Sequence, residues 1–411
     1  MRKGRVRTAT QRKAKDMSEV DRGGDVIVVG GGIGGLANAY ALAGAGRKVT
    51  VLERAPEFAE VGAGLQMAPN ATRVLREWGM LDAVLDKGVR PRRLVFKDAV
   101  DGGELTHLDL GEEFEARYGA PYVVIHRSDL LDILAEGCRG AGVELLADTR
   151  VDDVETGPEA AVALVGGRRI GADVVLAADG LHSSLRAKLS GDAPVCSGYV
   201  AYRGALPVAE LGDELDGQAL EQVVVYLGPG HHLVQYPLRG GEMFNTVAVF
   251  ESPAYHRGEQ DWGGPEELDE VFSGACAQVR RGLRSLWRTR RWPMYDREPI
   301  PTWIDGRLAL TGDAAHPMLQ YLAQGACQAI EDAHCLSAQV DKTAAADGPR
   351  WPAALAAYQE ARTERTARVQ RTARVWGDIW HVDGLARLLR NELFSDRDPA
   401  DFKHVDWLYG V

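Results

Sequence analysis

The sequence predicts an α/β protein that combines a parallel sheet, an inserted antiparallel sheet and a helical C-terminal region. Two short apolar runs, residues 25–29 (DVIVV) and 48–52 (KVTVL), flank an Ala- and Leu-rich segment at Leu36–Ala45, as in a βαβ unit. Residues 196–250 alternate between polar and apolar side chains, which indicates antiparallel strands. Trp351–Trp380 has the pattern of a long, Arg-rich amphipathic helix or pair of helices.

The same periodicities place the remaining elements. Short strands are expected from about Val89 to Tyr122, and buried parallel strands at Val174–Ala178 and Leu308–Thr311. Arg127-Ser128-Asp129 supplies a capping start for a helix. The predicted helices are Asn70–Trp78, Leu81–Leu85, Asp129–Arg139, Glu266–Trp287 and Gly325–Val340. Because the parallel strands are separated along the chain, the antiparallel sheet is predicted to be inserted into the domain that they form.

The composition excludes several classes of protein. The chain has 411 residues, 45% apolar and 26% charged, which is enough for two or three domains. Its apolar runs are shorter than the roughly 18 residues that a membrane-spanning helix needs, so no membrane span is predicted. The formal net charge of −11 disfavours general binding to nucleic acid.

Residues 1–15 differ from the rest of the chain. They hold seven Lys or Arg and no acidic residue, and removing these seven charges from −11 leaves −18. The segment has no apolar stretch and is therefore not a secretory signal. We interpret residues 1–24 as a basic, disordered tail. A basic arm for an anionic surface and an upstream start, with Met17 opening the domain, are the alternatives.

The five cysteines form no CxxC pair, and the ten histidines form no HExxH motif. An odd, scattered set of cysteines in a chain without a secretory signal predicts reduced thiols and a cytoplasmic protein. We expect these thiols to be small core residues. They are Cys138, Cys196, Cys276, Cys327 and Cys335. No metal site is predicted.

A glycine motif predicts a dinucleotide site. Gly30-x-Gly32-x-x-Gly35 follows a strand and opens a helix, and Glu53 ends the next strand. The first glycine allows a tight turn, the second lets backbone approach a pyrophosphate, and the third lets the helix pack on the strand. The helix N-terminus presents free N–H groups to phosphates, and Glu53 is placed to accept hydrogen bonds from a ribose.

Two further segments carry a resemblance to a known family. Residues 176–186 (LAADGLHSSLR) resemble the Asp-Gly motif, and residues 310–333 (LTGDAAHPMLQYLAQGACQAIEDA) the Gly-Asp motif, of single-component FAD-dependent aromatic hydroxylases. With the glycine motif, they occur in that family's order and approximate spacing. The resemblance implies a Rossmann-like FAD-binding domain of the aromatic hydroxylase type, with an inserted antiparallel substrate domain and a helical C-terminal region. The implied FAD-binding segments are 25–95, 125–195 and 295–342, with substrate-domain strands at 96–124, the substrate-binding sheet at 196–294 and the helical region at 343–411.

The same resemblance implies which residues hold FAD. Asp313 is similar to the residue that binds the ribityl chain. The helix beginning at Gly325 and Ala326 would aim its N-terminus at the pyrimidine edge, where its partial positive charge stabilises reduced flavin. Asp179 resembles the residue near both the pyrophosphate and the transient NADH or NADPH. The remaining implied FAD contacts are Arg54, Gln66 and Arg127. For Arg127, an ion pair at the start of the helix is the alternative. His316 resembles a loop-shaping residue beside FAD and is not assigned a catalytic role.

Several segments indicate a subgroup of the family. Residues 235–243 (QYPLRGGEM) and 292–300 (WPMYDREPI) resemble members that hydroxylate 3-hydroxybenzoate at C6. Gln320 is the single residue that best distinguishes this subgroup, because many salicylate-hydroxylating relatives have Pro at this position. Gln324 and Cys327-Gln328 instead resemble the broader salicylate-type group, which leaves the substrate open.

His232, Tyr236 and Gln320 are the candidate catalytic residues. His232 and Tyr236 lie four residues apart on a predicted strand, so their side chains share a face, whereas His231 points to the other face. We expect His232 to bind the phenol and ease its deprotonation, because a pKa near about 6.5 suits proton transfer. Tyr236 and Tyr122 would position the ring and carboxylate, and Gln320 would hold the substrate near the flavin. The alternatives are that His232 only makes hydrogen bonds within the sheet and that Tyr122 and Tyr236 only pack in the core.

The implied reaction is para-hydroxylation of a phenolic acid. NADH or NADPH would reduce FAD, O₂ would add at flavin C4a, and the hydroperoxide would oxidise 3-hydroxybenzoate to 2,5-dihydroxybenzoate. The alternatives are the same chemistry on salicylate, hydroxynicotinate or a phenolic or hydroxypyridine secondary metabolite, because a fold does not decide the substrate. The resemblance also implies a homodimer.

A flavin-bearing redox regulator is the alternative of a different class. Such a regulator would dock its partner through an arginine series on the C-terminal helix. We instead interpret these arginines as a solvated helix face that pairs with Glu360 and Glu364. The series is Arg362, Arg365, Arg368, Arg371 and Arg374.

Overall fold

The computed structural model describes residues 20–22, 24–59, 64–211, 215, 218–346 and 348–410. The basic segment 1–15 and the alternative start at Met17 lie outside this part of the chain. The strands are β1 Val20–Arg22, β2 Val26–Val29, β3 Val49–Leu52, β4 Gly64–Met67, β5 Arg93–Asp98, β6 Glu104–Asp109, β7 Val123–His126, β8 Glu144–Leu146, β9 Asp153–Thr156, β10 Ala161–Val165, β11 Arg168–Ala172, β12 Val174–Ala177, β13 Val195–Pro207, β14 Gln222–Gly228, β15 His231–Leu238, β16 Met243–Glu251, β17 Trp292–Asp296, β18 Ile304–Asp305 and β19 Leu308–Leu310.

The α-helices of the described residues complete the element order. They are α1 Ile33–Gly44, α2 Pro69–Glu77, α3 Leu81–Lys87, α4 Glu112–Tyr118, α5 Arg127–Gly140, α6 Val208–Leu211, α7 Pro253–His256, α8 Pro265–Val271, α9 Ala277–Gly282, α10 Gly325–Thr343, α11 Trp351–Trp380, α12 Gly384–Ser395 and α13 Asp406–Tyr409.

A six-stranded sheet with the order β18-β19-β12-β2-β3-β8 carries the predicted βαβ unit. All neighbouring strands are parallel except β18 and β19. The strands β2, β3, β12 and β19 are buried along their whole length, which explains why they are continuous apolar runs. Their carboxyl ends lie at one edge, the place where open α/β sheets bind ligands.

The second sheet has seven strands in the order β17-β13-β16-β15-β14-β5-β6. Its neighbours are antiparallel except β14 and β5, which are parallel. One face packs on a separate apolar cluster that includes Tyr202, Phe250 and Phe272. The opposite face belongs to the main core and turns toward the first sheet. The α/β fold with a separate antiparallel sheet and C-terminal helices is therefore confirmed.

Several boundaries differ from the sequence prediction. Val20–Arg22 pair in parallel with β11, so the predicted tail over residues 1–24 extends too far. The expected domain boundaries at residues 95/96, 124/125, 195/196 and 294/295 fall inside β5, β7, β13 and β17, because backbone pairing rather than composition sets where a strand ends.

Three local predictions were wrong. The region expected to hold only strands contains α4, bracketed by Gly111 and Gly119. The expected helix over Glu266–Trp287 is broken into α8, α9 and a 3₁₀ turn. The helix α5 is capped by His126, whose Nδ1 accepts from the backbone N of Ser128 at 3.3 Å.

Only part of the arginine series on α11 is the solvated face that the sequence predicted, since Arg368 and Arg371 are exposed but the other three arginines are not. Arg362 is buried and lies within 2.7 Å of both Glu331 and Asp332. Arg365 pairs with Glu331 at 2.6 Å, and Arg374 pairs with Asp296 at 2.6 Å. Arg368 lies over the ring of Trp407. The acidic partners come from other elements, which spacing along one helix does not reveal.

Other sequence expectations concern cysteines, metals and membranes. All five cysteines are free thiols, and Cys138, Cys276 and Cys327 are buried as expected. Among the residues that the structure describes, no group of three His, Cys, Asp or Glu side chains could hold a metal ion. In the same part of the chain, each helix is too short or too polar to cross a bilayer.

Candidate active site

One large cavity lies between the two sheets, with a volume of about 1140 Å³. Its first wall is the carboxyl edge of the parallel sheet, where β2, β3, β12 and β19 end. Its second wall is the inner face of the seven-stranded sheet, and the C-terminal residues 397–409 contribute to its rim. The cavity is large enough for a dinucleotide together with a small aromatic acid.

The glycine motif forms the cavity wall between β2 and α1. Gly30 has φ +106°, and a Cβ on this residue would overlap the carbonyl oxygen of Ala178. A Cβ on Gly35 would overlap the carbonyl oxygen of Gly30, whereas Gly32 borders open space. No side chain caps α1 at Gly32, so the N–H groups of its first turn are available to a phosphate.

Three predicted acidic residues lie around this loop. Glu53 accepts hydrogen bonds from the backbone N of Gly31 at 2.6 Å and of Ala55 at 2.8 Å, so its carboxylate also fixes the glycine turn. Asp179 accepts from the backbone N of Ser184 through Oδ2, while its buried Oδ1 has no protein partner in the described chain. Asp313 is exposed on the cavity wall. An unpartnered buried carboxylate oxygen and an uncapped helix N-terminus suit the ribose and pyrophosphate of FAD.

A second helix N-terminus opens into the same cavity. Gly325 and Ala326 begin α10, and their N-cap Gln324 does not cap the helix with its side chain. Gln324 Oε1 instead accepts from Asn70 and Gln328, both at 2.9 Å. The free N–H groups give this end partial positive charge, as the prediction for the flavin's pyrimidine edge requires.

The other implied FAD contacts also line the cavity. Arg54 is exposed at the end of β3, and Arg127 stands at the start of α5. Gln66 on β4 accepts a hydrogen bond from the hydroxyl of Tyr122 at 2.7 Å. The structure therefore brings Gly30, Gly32, Glu53, Arg54, Gln66, Arg127, Asp179, Asp313, Gly325 and Ala326 to one cavity, with Gly35 packed directly behind the glycine loop.

The sheet wall of the cavity is apolar across most of its width. One row of paired residues runs over six strands and lines the cavity at every position. The row consists of Arg203, Val247, Val234, Val225, Phe96 and Thr106. Adjacent strands are about 4.8 Å apart, so this wall can accommodate an aromatic ring lying flat on it.

The candidate catalytic side chains project from this wall and from the facing turn. His232 and Tyr236 line the cavity, as their spacing on β15 predicts. His231 lies on the opposite face, with its ring centroid 4.4 Å from that of Phe272. Gln320 faces them from the other wall, and its Oε1 accepts from Arg203 Nη2 at 3.4 Å.

Burial changes the acid–base properties of these groups. Burial and the neighbouring His381 hold the pKa of His232 well below its usual value, so the unperturbed pKa on which its predicted role was based does not apply. Burial also raises the pKa of Tyr236 and of Tyr122 above the ordinary tyrosine value. At neutral pH, all three side chains are uncharged donors or acceptors in an apolar site.

Some residues of the site were missed in the sequence. Arg203 lies over the ring of Trp292 and faces the cavity. An aromatic cluster closes the end of the cavity near α12, and no local motif marks its members. They are Phe96, Trp376, Trp380 and Phe394. Phe96 and Trp376 each contact the other three rings, with ring centroids 5.9–6.5 Å apart. His381, at the end of α11, hydrogen-bonds His232 from behind at 2.8 Å.

Comparisons with known proteins identify the family of the chain. A family profile described as "FAD binding domain" matches residues 24–373. 3-Hydroxybenzoate 6-hydroxylase 1 of Aquipseudomonas alcaligenes is 40% identical over 94% of this chain and 97% of that protein. 3-Amino-4-hydroxybenzoate 2-monooxygenase of Streptomyces cremeus is 38% identical over 95% of this chain and 96% of that protein. The structure of Klebsiella pneumoniae HpxO with FAD and uric acid superposes with a TM-score of 0.78 at 26% identity, covering 91% and 93% of the two chains.

Proposed function

The chain belongs to the FAD-binding-domain family and is an FAD-dependent aromatic monooxygenase, and from this premise we propose that it hydroxylates 3-hydroxybenzoate at C6. The co-substrates would be NADH and O₂, and the product 2,5-dihydroxybenzoate. The observation that carries the proposal is the cavity itself. His232 and Tyr236 on the sheet wall face Gln320, Asp313 and the N-terminus of α10 across one cavity, which the glycine loop also lines.

Bound FAD supplies hydride acceptance from NADH and activation of O₂ for transfer to the ring. The chain's own residues would hold it. The uncapped N-terminus of α1 would bind the pyrophosphate, Glu53 and Asp179 the ribose region, and Asp313 the ribityl chain. The N-terminus of α10 would stabilise negative charge that develops on the reduced cofactor.

The substrate would lie on the apolar wall beneath His232 and Tyr236. C6 is para to the phenolic oxygen, and removal of the phenolic proton raises the electron density at that carbon. His232 is neutral in the free protein and lines the cavity, so its imidazole can accept this proton. Gln320 would hold the carboxylate side of the ring, with its amide oriented by Arg203. The apolar row on the sheet excludes water from the reacting atoms.

A substrate panel tests this proposal. The FAD-loaded enzyme is given NADH or NADPH with 3-hydroxybenzoate, salicylate, 6-hydroxynicotinate or 3-amino-4-hydroxybenzoate. NADH loss, O₂ uptake and product identity are measured together. We expect 3-hydroxybenzoate to give the fastest coupled turnover and 2,5-dihydroxybenzoate as product. Faster coupled turnover of another acid would overturn the substrate, and NADH oxidation indifferent to every acid would favour the redox regulator.

The homodimer implied by the family resemblance and the cytoplasmic location predicted from the cysteines stay predictions. Size-exclusion chromatography with light scattering tests the first, and fractionation of the native cells tests the second.

A further inference from the structure

A second histidine stands directly behind His232. His381 caps the end of α11, and its Nε2 lies 2.8 Å from His232 Nδ1. The two rings are stacked, with centroids 5.1 Å apart and an interplanar angle of 24°. His232 lines the cavity and His381 does not, so only one ring of the pair can reach a substrate.

We propose that His381 is a positioning residue and that it forms, together with His232, a two-ring proton acceptor for the substrate's phenol. This inference rests on the proposed function, because it concerns the deprotonation assigned there to His232. Nothing in the local sequence marks His381, which becomes visible only when α11 is placed against β15.

The 2.8 Å contact limits the pair to two neutral forms, since one ring must donate and the other accept. When His232 Nδ1 donates to His381 Nε2, His232 Nε2 carries a lone pair and can accept the phenolic proton. When His381 Nε2 donates, His232 Nε2–H is instead a donor to the phenolate. His381 therefore decides whether His232 acts as base or as donor.

The two histidines can take up the phenolic proton without any further acceptor. The phenol O–H bond breaks, its electron pair stays on oxygen, and a new N–H bond forms at His232 Nε2. The proton on His232 Nδ1 can then pass to His381 Nε2, so the positive charge moves one ring away from the substrate. His381 stacks on Tyr199 at 4.7 Å, and an electron-rich aromatic face stabilises an adjacent cation.

The surroundings keep the pair neutral until a substrate arrives. Burial holds the pKa of His381 down to about 3, and the positive charge of Arg390 acts in the same direction. A phenolate beside His232 would supply the missing negative charge. The titratable and charged groups that face the pair are His231 on β15, Tyr199 on β13 with Glu251 on β16 behind it, Tyr321 in the facing turn, Asp378 on α11 and Arg390 on α12.

The matched test compares His381→Leu, His381→Gln and the control His231→Leu. The glutamine amide can occupy the position of Nε2 and keep the hydrogen bond, whereas leucine removes it. His231 is also a buried histidine and is next to His232, but it faces away from the cavity. Its replacement therefore controls for the general effect of losing a buried imidazole.

The first readout needs no turnover. Oxidised, FAD-loaded enzyme is saturated with 3-hydroxybenzoate, and near-ultraviolet difference absorption measures the bound phenolate from pH 5 to 10. We expect His381→Leu to raise the midpoint of this titration by about one unit, a tenfold change in the ionisation equilibrium. His381→Gln should recover more than half of that shift. His231→Leu removes a group that lowers the pKa of both rings, so it should not raise the midpoint. Midpoints equal to wild type in both His381 variants, or an equal shift in His231→Leu, would overturn the inference.

The second readout needs no ligand. ¹⁵N spectra of histidine-labelled holoenzyme report which ring nitrogen of His232 carries the proton. We expect a protonated Nδ1 in the wild type and in His381→Gln, and a shift toward protonated Nε2 in His381→Leu. An unchanged tautomer in His381→Leu would overturn the inference. Failure of 3-hydroxybenzoate to bind, with the expected tautomers present, would remove the proposed substrate and leave the histidine pair standing.

Discussion

Replacing Arg362 with Met is expected to destabilise the protein by about 3–5 kcal/mol at pH 7, because buried carboxylates lose a cation. Arg362 is 4% exposed. Its guanidinium lies 2.7 Å from Asp332 Oδ1 and 2.5 Å from Glu331 Oε2. Methionine keeps most of the side-chain volume, so the cost reports the lost charge and hydrogen bonds rather than a cavity.

The cost should depend on pH. Burial alone would raise the pKa of Glu331 and Asp332, but Arg362 and the neighbouring cations hold both pKa values below the ordinary range. In the wild type, these carboxylates contribute their full stability above about pH 4, the value of the unfolded chain, and lose it as the pH falls through the lower folded pKa. Without Arg362, both pKa values rise, so protonation relieves the unpaired charge. The difference between variant and wild type should therefore shrink between pH 7 and about pH 4.

Urea unfolding of the FAD-loaded enzyme, followed by tryptophan fluorescence, measures this difference at both pH values. The control is Arg371→Met, an exposed arginine on the same helix, which should change the free energy of unfolding by less than about 0.5 kcal/mol. A cost of less than ~1 kcal/mol for Arg362→Met at pH 7, or a cost that is independent of pH, would show that Arg362 does not stabilise these carboxylates.

Three further substitutions test the site. Gly35→Ala should abolish FAD binding, because the new Cβ would overlap the carbonyl oxygen of Gly30. The control Gly44→Ala lies in the same helix, where the new Cβ meets no atom, and should keep FAD binding. The absorbance at 450 nm per chain measures the bound FAD. His232→Ala should keep yellow FAD yet lower hydroxylation by roughly 10²- to 10⁴-fold, with NADH oxidation continuing and ending in peroxide. Product formed per NADH consumed measures this, and wild-type coupling would remove His232 from the mechanism. Tyr122→Phe deletes the 2.7 Å hydrogen bond to Gln66 and should raise KM by about 3- to 10-fold with kcat little changed, as steady-state kinetics will show.

The sequence predicts the features that depend on local patterns. The bounds of α11 agree with the predicted Trp351–Trp380, because one unbroken periodicity covers them. The shared face of His232 and Tyr236 follows from the two-residue repeat of a strand. The glycine loop is where its spacing predicts, since a Cβ at Gly30 or Gly35 would overlap backbone atoms.

Features that depend on distant partners could not be predicted. Arg362 has the spacing of an exposed helix face, but its partners Glu331 and Asp332 come from α10. His381 follows a helix end with no motif around it, and its partner His232 lies 149 residues earlier. The helix expected over Glu266–Trp287 breaks because Cys276 adopts an extended backbone, which a helical repeat of apolar residues does not exclude.

Oxygen incorporation tests the central claim most directly. FAD-loaded enzyme is turned over with NADH and 3-hydroxybenzoate under ¹⁸O₂ in unlabelled water, and the product is examined by mass spectrometry. One ¹⁸O atom in 2,5-dihydroxybenzoate for each NADH consumed is the predicted result. An unlabelled product, or NADH consumed without any hydroxylated acid, would contradict a flavin cavity that delivers oxygen to a phenolate held beside His232.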